Sequence, residues 1–432
     1  MRPTFGWSDL VRHDRVGLWG LGVEGAANLR RLRSLGIEPI QVDDRPAAED
    51  VTATDAGGLE LLATCDVVVK TPGISRYRQD VQDLEASGIP VVGGMGLWLH
   101  DVDRERVICV TGTKGKSTTV SIAGHLANGL GVRCFVGGNL GVAPYDPGAG
   151  DDHDLWVIEV SSYQATDVAV APPVVGVTSL HADHLDWHGG LDTYYSDKLS
   201  ITRQPGVRVA VCGEDEELRG HASLIGGTVR WVGADQAVPW WQHLGLVGQH
   251  NATNAAIAAA LLAEAGVEGA SEPDALAAAA EGYRNLSSRL QHVATVQGVE
   301  FYDDSLSTNV LPTIAAVAAF PGRRVALILG GFDRGIDYHP LAHALAGRQE
   351  PTLALTLPSS GERIAAAIDA TAAEHLELVR CDDLDAAVTR GFAWAAPDGV
   401  VLLSPAAPSF GTYRNYRERA EAFTRLALEC GP

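Results

Sequence analysis

The stretch VICVTGTKGKSTT, from Val107 to Thr119, constrains this chain more than any other. A run of β-branched and apolar residues enters a glycine turn without a break, and a helix-forming segment leaves it. That order requires a buried strand whose carboxyl end faces a helix N-terminus, and so a parallel α/β sheet. Gly112, Thr113, Lys114, Gly115, Lys116, Ser117 and Thr118 offer backbone donors for phosphate oxygens, an ammonium for the β- and γ-phosphates and a hydroxyl for magnesium. Val110 stands where the standard loop has its first glycine. The segment predicts binding of ATP with Mg2+. The competing reading, a glycine turn with solvated lysines, leaves the flanking strand and helix unexplained.

The same alternation repeats on both sides. From Arg15 to about His100 the order is VGLWGLGVEG, an arginine-rich helix, IEPIQVDD, CDVVVK running into the turn TPGIS, and IPVVGG. The middle unit continues through WVIEVSS, VVGVTSL, VRVAVCG and a helix around NATNAAIAAALLAEAG. After Val293 the pattern restarts with VEFYDDS, a long alanine-rich helix, RRVALILGG, TLALTL and VVLLSPAAPSF. With a seam near 102–106, this predicts an α/β protein of three domains, 1–103, 104–292 and 293–432. The first and last are Rossmann-like, and the central one is a phosphate-loop domain on a mainly parallel sheet.

Gly20-Leu21-Gly22-Val23-Glu24-Gly25 follows a strand and opens a helix, and Asp43 and Asp44 end the next strand. Such a loop suits a backbone approaching a pyrophosphate, with an acid near a ribose. A dinucleotide dehydrogenase and a plain tight turn are the competing readings. Arg45 and the turn Thr71-Pro72-Gly73 complete the candidate crevice.

Composition narrows the partners. A formal net charge of −21 argues against nucleic acid or an anionic membrane, which need a basic face. Six cysteines without a CxxC pair indicate neither a zinc site nor a disulfide framework, and no apolar run is long enough to span a membrane. A soluble, cytoplasmic protein is expected. Lys70, Lys114, Lys116 and Lys198 are the only lysines among 33 Lys and Arg residues. An arginine-biased chain that keeps a lysine marks a place where an ammonium able to lose its proton is needed. Lys70 alone reads equally well as chance survival at the surface.

Glu159 at the end of WVIEVSS, His184 in HADHLDWHGG at a strand end, and Lys198 in YYSDKL complete a constellation. Glu159, His184 and the Ser117 hydroxyl are candidate ligands for magnesium that also binds triphosphate. In order along the chain, TGTKGKSTT, EVSSYQ, HADHLDWHG, DKL, GQHNATNAA, the Arg289 segment, DDSLSTN, GGFDRG and LSPAAPSFGTYRNYRERAEAF resemble the Mur ligases of peptidoglycan synthesis. The likeness spans nearly the whole chain and is closest to the members that add glutamate.

The resemblance implies an ATP-dependent ligase. ATP phosphorylates the carboxylate of UDP-N-acetylmuramoyl-L-alanine, and the amine of glutamate attacks the acyl phosphate. Lys116 and Ser117 match the family's phosphate and magnesium residues, and Glu159 and His184 its metal-binding acid and imidazole. Lys198 matches the lysine that the family carbamylates to help hold a second magnesium, so Lys116, His184 and Lys198 are the implied catalytic residues. Asn251, Asn254, Arg289 and Asp304 match positions around the nucleotide; Gly20, Gly22, Asp44, Arg45, Thr71 and Asn139 match the UDP-substrate site. Thr308, Arg334, Ser409 and Tyr416 match glutamate-contacting positions, with Ser409 and Tyr416 expected to face Thr308 and Arg334.

Departures from the family pattern point to a branch. Leu306 stands where D-glutamate-adding members keep a lysine, Arg334 replaces another lysine, Lys114 an asparagine and Ser288 a histidine. An arginine fork grips a carboxylate bidentately and a lysine does not, so glutamate is oriented differently. The pattern resembles the less common branch that adds L-glutamate, whose product a separate epimerase inverts. The D-glutamate-adding ligase stays as the alternative, and a non-catalytic nucleotide-binding scaffold or sensor as the alternative of another class. A folate-polyglutamating ligase shares the ATP domain but not the N-terminal one. A monomer, with closure of the last domain on the middle one, is expected.

Overall fold

The computed structural model describes residues 5–373 and 375–431. It divides into two compact units, one running up to Leu244 with Asn251–Tyr283, the other Gly245–His250 with the chain from Arg284 onward.

The first unit holds two parallel sheets. Strands β1 (Val16–Trp19), β2 (Ile40–Asp43), β3 (Thr52–Ala53), β4 (Val67–Lys70) and β5 (Val91–Gly93) take the order β3-β2-β1-β4-β5. In β1, β4 and β5 every residue is buried, as strands covered on both faces must be, which explains their unbroken apolar runs. The order reverses between β1 and β4, and a crevice opens at the carboxyl ends of such a pair. Strands β6 (Val107–Thr111), β7 (Cys134–Gly138), β8 (Leu155–Glu159), β9 (Val174–Val177), β10 (Val209–Gly213) and β11 (Thr228–Val232) take the order β11-β10-β9-β6-β8-β7. Here β6 lies between β8 and β9, so the turns after all three leave the same edge.

One apolar core joins these two sheets, with Trp7, Leu18, Met95 and Trp98 on one side and Cys109, Trp156 and Ile158 on the other. Trp98 meets Trp156 edge-on at 5.5 Å between ring centres. Lys70 is not the surface survivor that its sequence context allows: its side chain is fully buried and ion-paired with Asp167. Arg76 NH2 reaches the other Asp167 oxygen at 2.8 Å. Nearby, Glu24 accepts from the Tyr145 hydroxyl at 2.9 Å and from Gln164 Nε2 at 3.0 Å.

The second unit carries β12 (Gln291–Val296), β13 (Val299–Asp303), β14 (Val325–Leu329), β15 (Thr352–Thr356), β16 (Leu376–Arg380) and β17 (Val400–Leu403), in the order β12-β13-β17-β14-β15-β16. All pairs are parallel except β12 with β13. That hairpin, absent from the sequence reading, turns on Gln297 and Gly298, both at positive φ, the geometry that matches the twist of two antiparallel strands. The long alanine-rich helix expected after β13 is also corrected. It spans only Val310–Ala318, because Phe320 turns into the core and Pro321 cannot continue a helical ladder.

Candidate active site

The phosphate-type loop leaves β6 and enters the helix Lys116–Gly129. Gly112 has φ +134°, and a Cβ there would stand 2.1 Å from Thr178 Oγ1. Gly115 has φ +87°, and its Cβ would stand 2.5 Å from Asn254 Oδ1. Both glycines are therefore required by backbone conformation and by close approach. The turn after β9 cradles the loop. Thr113 N donates to Ser179 O at 2.9 Å, Lys114 N to Ser179 Oγ at 2.9 Å, and the Tyr194 hydroxyl lies 2.9 Å from Thr113 Oγ1. Asn251 and Asn254 are buried on the helix Gln249–Glu264, where Asn254 Oδ1 accepts from Thr119 Oγ1 at 3.3 Å and Asn254 Nδ2 donates to Asn251 Oδ1 at 3.2 Å. Ser117 and Thr118 are buried in the first helical turn. Sequence order alone does not disclose Thr178, Ser179 or Tyr194, which reach the loop from far along the chain.

Two ammonium groups meet this loop at consecutive carbonyls. Lys198 Nζ donates to Gly112 O at 3.0 Å and Lys116 Nζ to Thr113 O at 3.2 Å. Burial, reinforced by the charge of Lys116, pushes the Lys198 ammonium well below the ordinary lysine value. Glu159, at the end of β8, accepts from Asn139 Nδ2 through Oε1 at 2.6 Å. Its Oε2 is buried with no hydrogen-bond partner among the described residues. Such an atom is costly unless something cationic or protic completes it. Asn139, which the resemblance ties to the UDP substrate, is thus held beside the candidate metal acid.

His184 lies beyond the end of β9 rather than at it, capping the short helix Leu185–His188. Its φ of +52° is left-handed, an unusual state for a residue with a side chain. Partial burial lowers its pKa, a trend that Asp183 opposes and Lys198 and Lys114 assist, so the neutral imidazole is favoured. Lys114 Nζ pairs with Asp183 Oδ2 at 3.1 Å. Burial acts to raise the Asp183 carboxyl, but the charges of Lys114 and His184 prevail and hold it below the usual range.

Among the described residues no three His, Cys, Asp or Glu side chains cluster closely enough to hold a metal by themselves. Magnesium is suited to this donor set nonetheless, because it takes few protein ligands and fills its shell with phosphate oxygens and water. The unpartnered Glu159 oxygen and the Ser117 hydroxyl fit that role; Lys198 fits it only once its positive charge is gone.

In the first sheet, Gly20 and Thr71 meet at the β1/β4 reversal: a Cβ on Gly20, whose φ is +92°, would lie 2.2 Å from Thr71 Oγ1. Gly22 precedes the helix Val23–Ser34 as its cap. Asp44 accepts from Thr54 Oγ1 at 2.7 Å and from Arg78 NH1 at 2.6 Å. Burial would raise its carboxyl, but these bonds hold it low. Arg45 is exposed beside it, its N–H given to Asp43. Arg78, which also stacks over Trp19 at 4.9 Å, was not legible because nothing local in YRQD marks it.

The remaining predicted residues belong to the second unit. Asp304 accepts from Leu290 N at 3.1 Å, from Ser404 Oγ at 2.7 Å and from Ser307 Oγ, and burial pushes its carboxyl up to about 6. Arg289 lies beside Leu290, and its carbonyl accepts from Asn285 Nδ2 at 2.7 Å. Thr308, Arg334 and Ser409 sit on turns after β13, β14 and β17, three neighbouring strands. Arg334 NH2 lies 3.5 Å from Thr308 O, and Phe332 N donates to Pro408 O at 2.9 Å, joining the second turn to the third. Ser409 is buried, whereas Tyr416 opens the helix Tyr416–Glu429 with its hydroxyl 3.4 Å from Arg417 Nε. The sequence reading missed Arg419, a buried guanidinium that donates to Ser305 O at 2.9 Å and Ala407 O at 3.2 Å.

A glycine loop between a buried strand and a helix, met at two carbonyls by lysines from helices and flanked by an acid at the adjoining strand's end, defines an α/β protein of the phosphate-loop class. Comparison with known proteins carries this further. Two family models match, the Mur ligase middle domain over residues 110–243 and the Mur ligase glutamate ligase domain over residues 288–407. The UDP-N-acetylmuramoyl-L-alanine–L-glutamate ligase of Micromonospora sp. is 39% identical over 452 aligned positions, covering 98% of each chain. That of Salinispora tropica is 38% identical and covers 98% of this chain and 99% of its own. The crystal structure of MurF from Acinetobacter baumannii shares the fold, with a TM-score of 0.57 at 17% identity over 97% of this chain and 92% of that one. The chain belongs to the Mur ligase family. No helix among the described residues is long and apolar enough to cross a membrane.

Proposed function

We propose that the protein joins L-glutamate to UDP-N-acetylmuramoyl-L-alanine at the expense of ATP, as a step of peptidoglycan precursor synthesis. The observation that carries the chemistry is the meeting of Lys116 and Lys198 on carbonyls of one glycine loop, with Glu159 opposite Val110 at the end of the adjoining strand. Phosphoryl transfer needs little covalent help from a protein; it needs positioning and neutralisation of charge. The loop amides and Lys116 hold the transferring phosphate while the substrate carboxylate attacks it. The amine of glutamate then attacks the acyl phosphate, and the developing oxyanion and departing phosphate stay near the same cations. Glu159, Ser117 and His184 would hold magnesium, which supplies Lewis acidity at the phosphate oxygens when bound.

Lys198 is proposed to be carbamylated. Only the uncharged amine reacts with carbon dioxide, and burial beside Lys116 favours that form. Gly20, Gly22, Asp44, Arg45, Thr71 and Asn139 are proposed for the UDP substrate, and Gly112, Thr113, Lys114, Gly115, Thr118, Asn251, Asn254, Arg289 and Asp304 for ATP. Thr308, Arg334, Ser409 and Tyr416 are proposed for glutamate, within functional modules 1–103, 104–292 and 293–432. A monomeric cytoplasmic enzyme, with a separate epimerase acting on its product, goes with this reading.

The L configuration is supported by the names of relatives 38–39% identical over nearly the full chain, together with Leu306 in place of a cation. The test is ATP-dependent phosphate release with UDP-N-acetylmuramoyl-L-alanine and each glutamate enantiomer. Turnover with L-glutamate is expected. Turnover with D-glutamate alone would overturn the stereochemistry, and none with either would favour a scaffold.

A further inference from the structure

A chain of hydrogen bonds, buried except at its Tyr77 end, lies beside the candidate active site. His188 Nδ1 is 2.7 Å from Asp197 Oδ2, and His188 Nε2 is 3.0 Å from Ser162 Oγ. The Tyr77 hydroxyl donates to Asp197, 2.8 Å from each carboxylate oxygen. An ionised carboxylate only accepts, so Nδ1 carries the imidazole proton when His188 is neutral, leaving Nε2 to accept from Ser162. Every donor in the chain then points toward Asp197, and no member is free to reverse.

The connectivity Ser162–His188–Asp197 is that of a nucleophile relay, but the placement is not. All three are buried, with Ser162 3% and His188 2% exposed, so no substrate carbon can reach the serine. Its members instead come from the segments that carry the candidate metal-end residues. Ser162 opens the helix Ser162–Ala165 just after Glu159. His188 closes the helix that His184 caps. Asp197 precedes Lys198 in the helix Leu191–Leu199. Tyr77 comes from the first sheet, beyond the turn after β4, and the same turn is bound to this region by Ser75 Oγ donating to Trp187 O at 3.1 Å and Trp187 Nε1 to Gly73 O at 3.3 Å. Trp187 in turn stacks on Tyr163 at 4.3 Å.

We propose that His188 is a positioning residue of the ligation reaction, holding the segments of Glu159, His184 and Lys198 in one register, with Asp197 and Tyr77 tying that register to the first sheet. This rests on the ligase reading above. Partners that orient metal-holding groups cost about 10–100-fold in metal affinity or activity when removed, and here the tie runs through the chain segments that carry those groups. Three variants test it: His188→Gln, which moves the amide away from Asp197; His188→Asn, which keeps a donor near the Nδ1 position; and Tyr77→Phe, which removes one hydroxyl from a partly exposed ring and threatens the fold least.

For each full-length variant, nucleotide affinity in EDTA, magnesium affinity of the ADP-bound protein and kcat are measured. The expected result is unchanged nucleotide affinity in EDTA, with magnesium affinity and kcat both reduced about tenfold or more in His188→Gln, partly restored in His188→Asn and reduced less in Tyr77→Phe. Wild-type magnesium affinity and kcat in both His188→Gln and Tyr77→Phe would overturn the proposal. So would equal loss of nucleotide binding in EDTA across all three variants, the mark of a general packing role. If the wild-type protein releases no phosphate with either glutamate, the ligase reading fails, and the magnesium affinities alone decide whether the network positions those groups.

Discussion

Lys70 and Lys198 are both buried lysines in the first unit, and their surroundings differ in one respect. Lys70 lies at the seam between the first two sheets against Asp167, which Arg76 also grips. Lys198 lies under the phosphate-type loop with a carbonyl for a partner and the charge of Lys116 nearby, and among the described residues no carboxylate forms an ion pair with it. Burial lowers both pKa values; after it, the strongest neighbour at Lys70 is Asp167, which opposes the shift ahead of Arg76, while at Lys198 it is Lys116, which adds to the shift ahead of the opposing Asp183 and Glu159. A buried ammonium with a counterion is a fastening; one without is held ready for chemistry.

The widest gap between the two sites should appear in catalysis. Lys198→Arg is expected to abolish ligation, a loss of at least about two to three orders of magnitude, while calorimetric ATP binding persists. Full turnover in that variant would erase the distinction. Next comes Asp167→Asn, which leaves Lys70 buried without a counterion and should cost about 3–5 kcal/mol of stability in chemical denaturation. Lys70→Met leaves Asp167 paired with Arg76 and should cost only about 1 kcal/mol, so equal losses from the two changes would break the fastening picture.

Lys198→Met should act in the opposite direction on stability. A lysine whose native pKa is depressed binds fewer protons folded than unfolded, so wild-type stability rises with pH from the depressed value up to the ordinary 10.5. Removing Lys198 should therefore raise the denaturation midpoint at pH 7 in carbon-dioxide-free buffer and flatten that slope. An unchanged slope would show the charge to be compensated. An effect as small as that of Lys70→Met is expected for Tyr194→Phe, which keeps the ring 4.9 Å from Lys198 Nζ but loses the contact with Thr113, at about 1 kcal/mol in the same denaturation assay.

What the sequence disclosed follows from the range of the interactions involved. A strand, a glycine turn and a helix are neighbours along the chain, so VICVTGTKGKSTT and VGLWGLGVEG revealed their architecture directly, down to the glycines at 20, 112 and 115. Burial periodicity likewise exposed most of the parallel strands. Lys70 with Asp167, Asn139 with Glu159 and Tyr77 with Asp197 join residues from separate elements, and no local pattern encodes such a pairing. The Gln297-Gly298 hairpin is a local signal too, but a strict strand–helix alternation that restarts after Val293 has no place for an antiparallel pair.

The strand order of the second unit bears on how the protein is made. Of its six strands, β17 is the last to be synthesised, yet it lies in the middle, between β13 and β14. Arg419, later still, clasps the turns that follow β13 and β17. Until those residues leave the ribosome, the earlier strands have no central partner and two apolar edges stand open. The first unit's parallel sheets are complete long before that, so on each nascent chain the phosphate-type loop can take shape while the turn bearing Arg334 still waits for its neighbour.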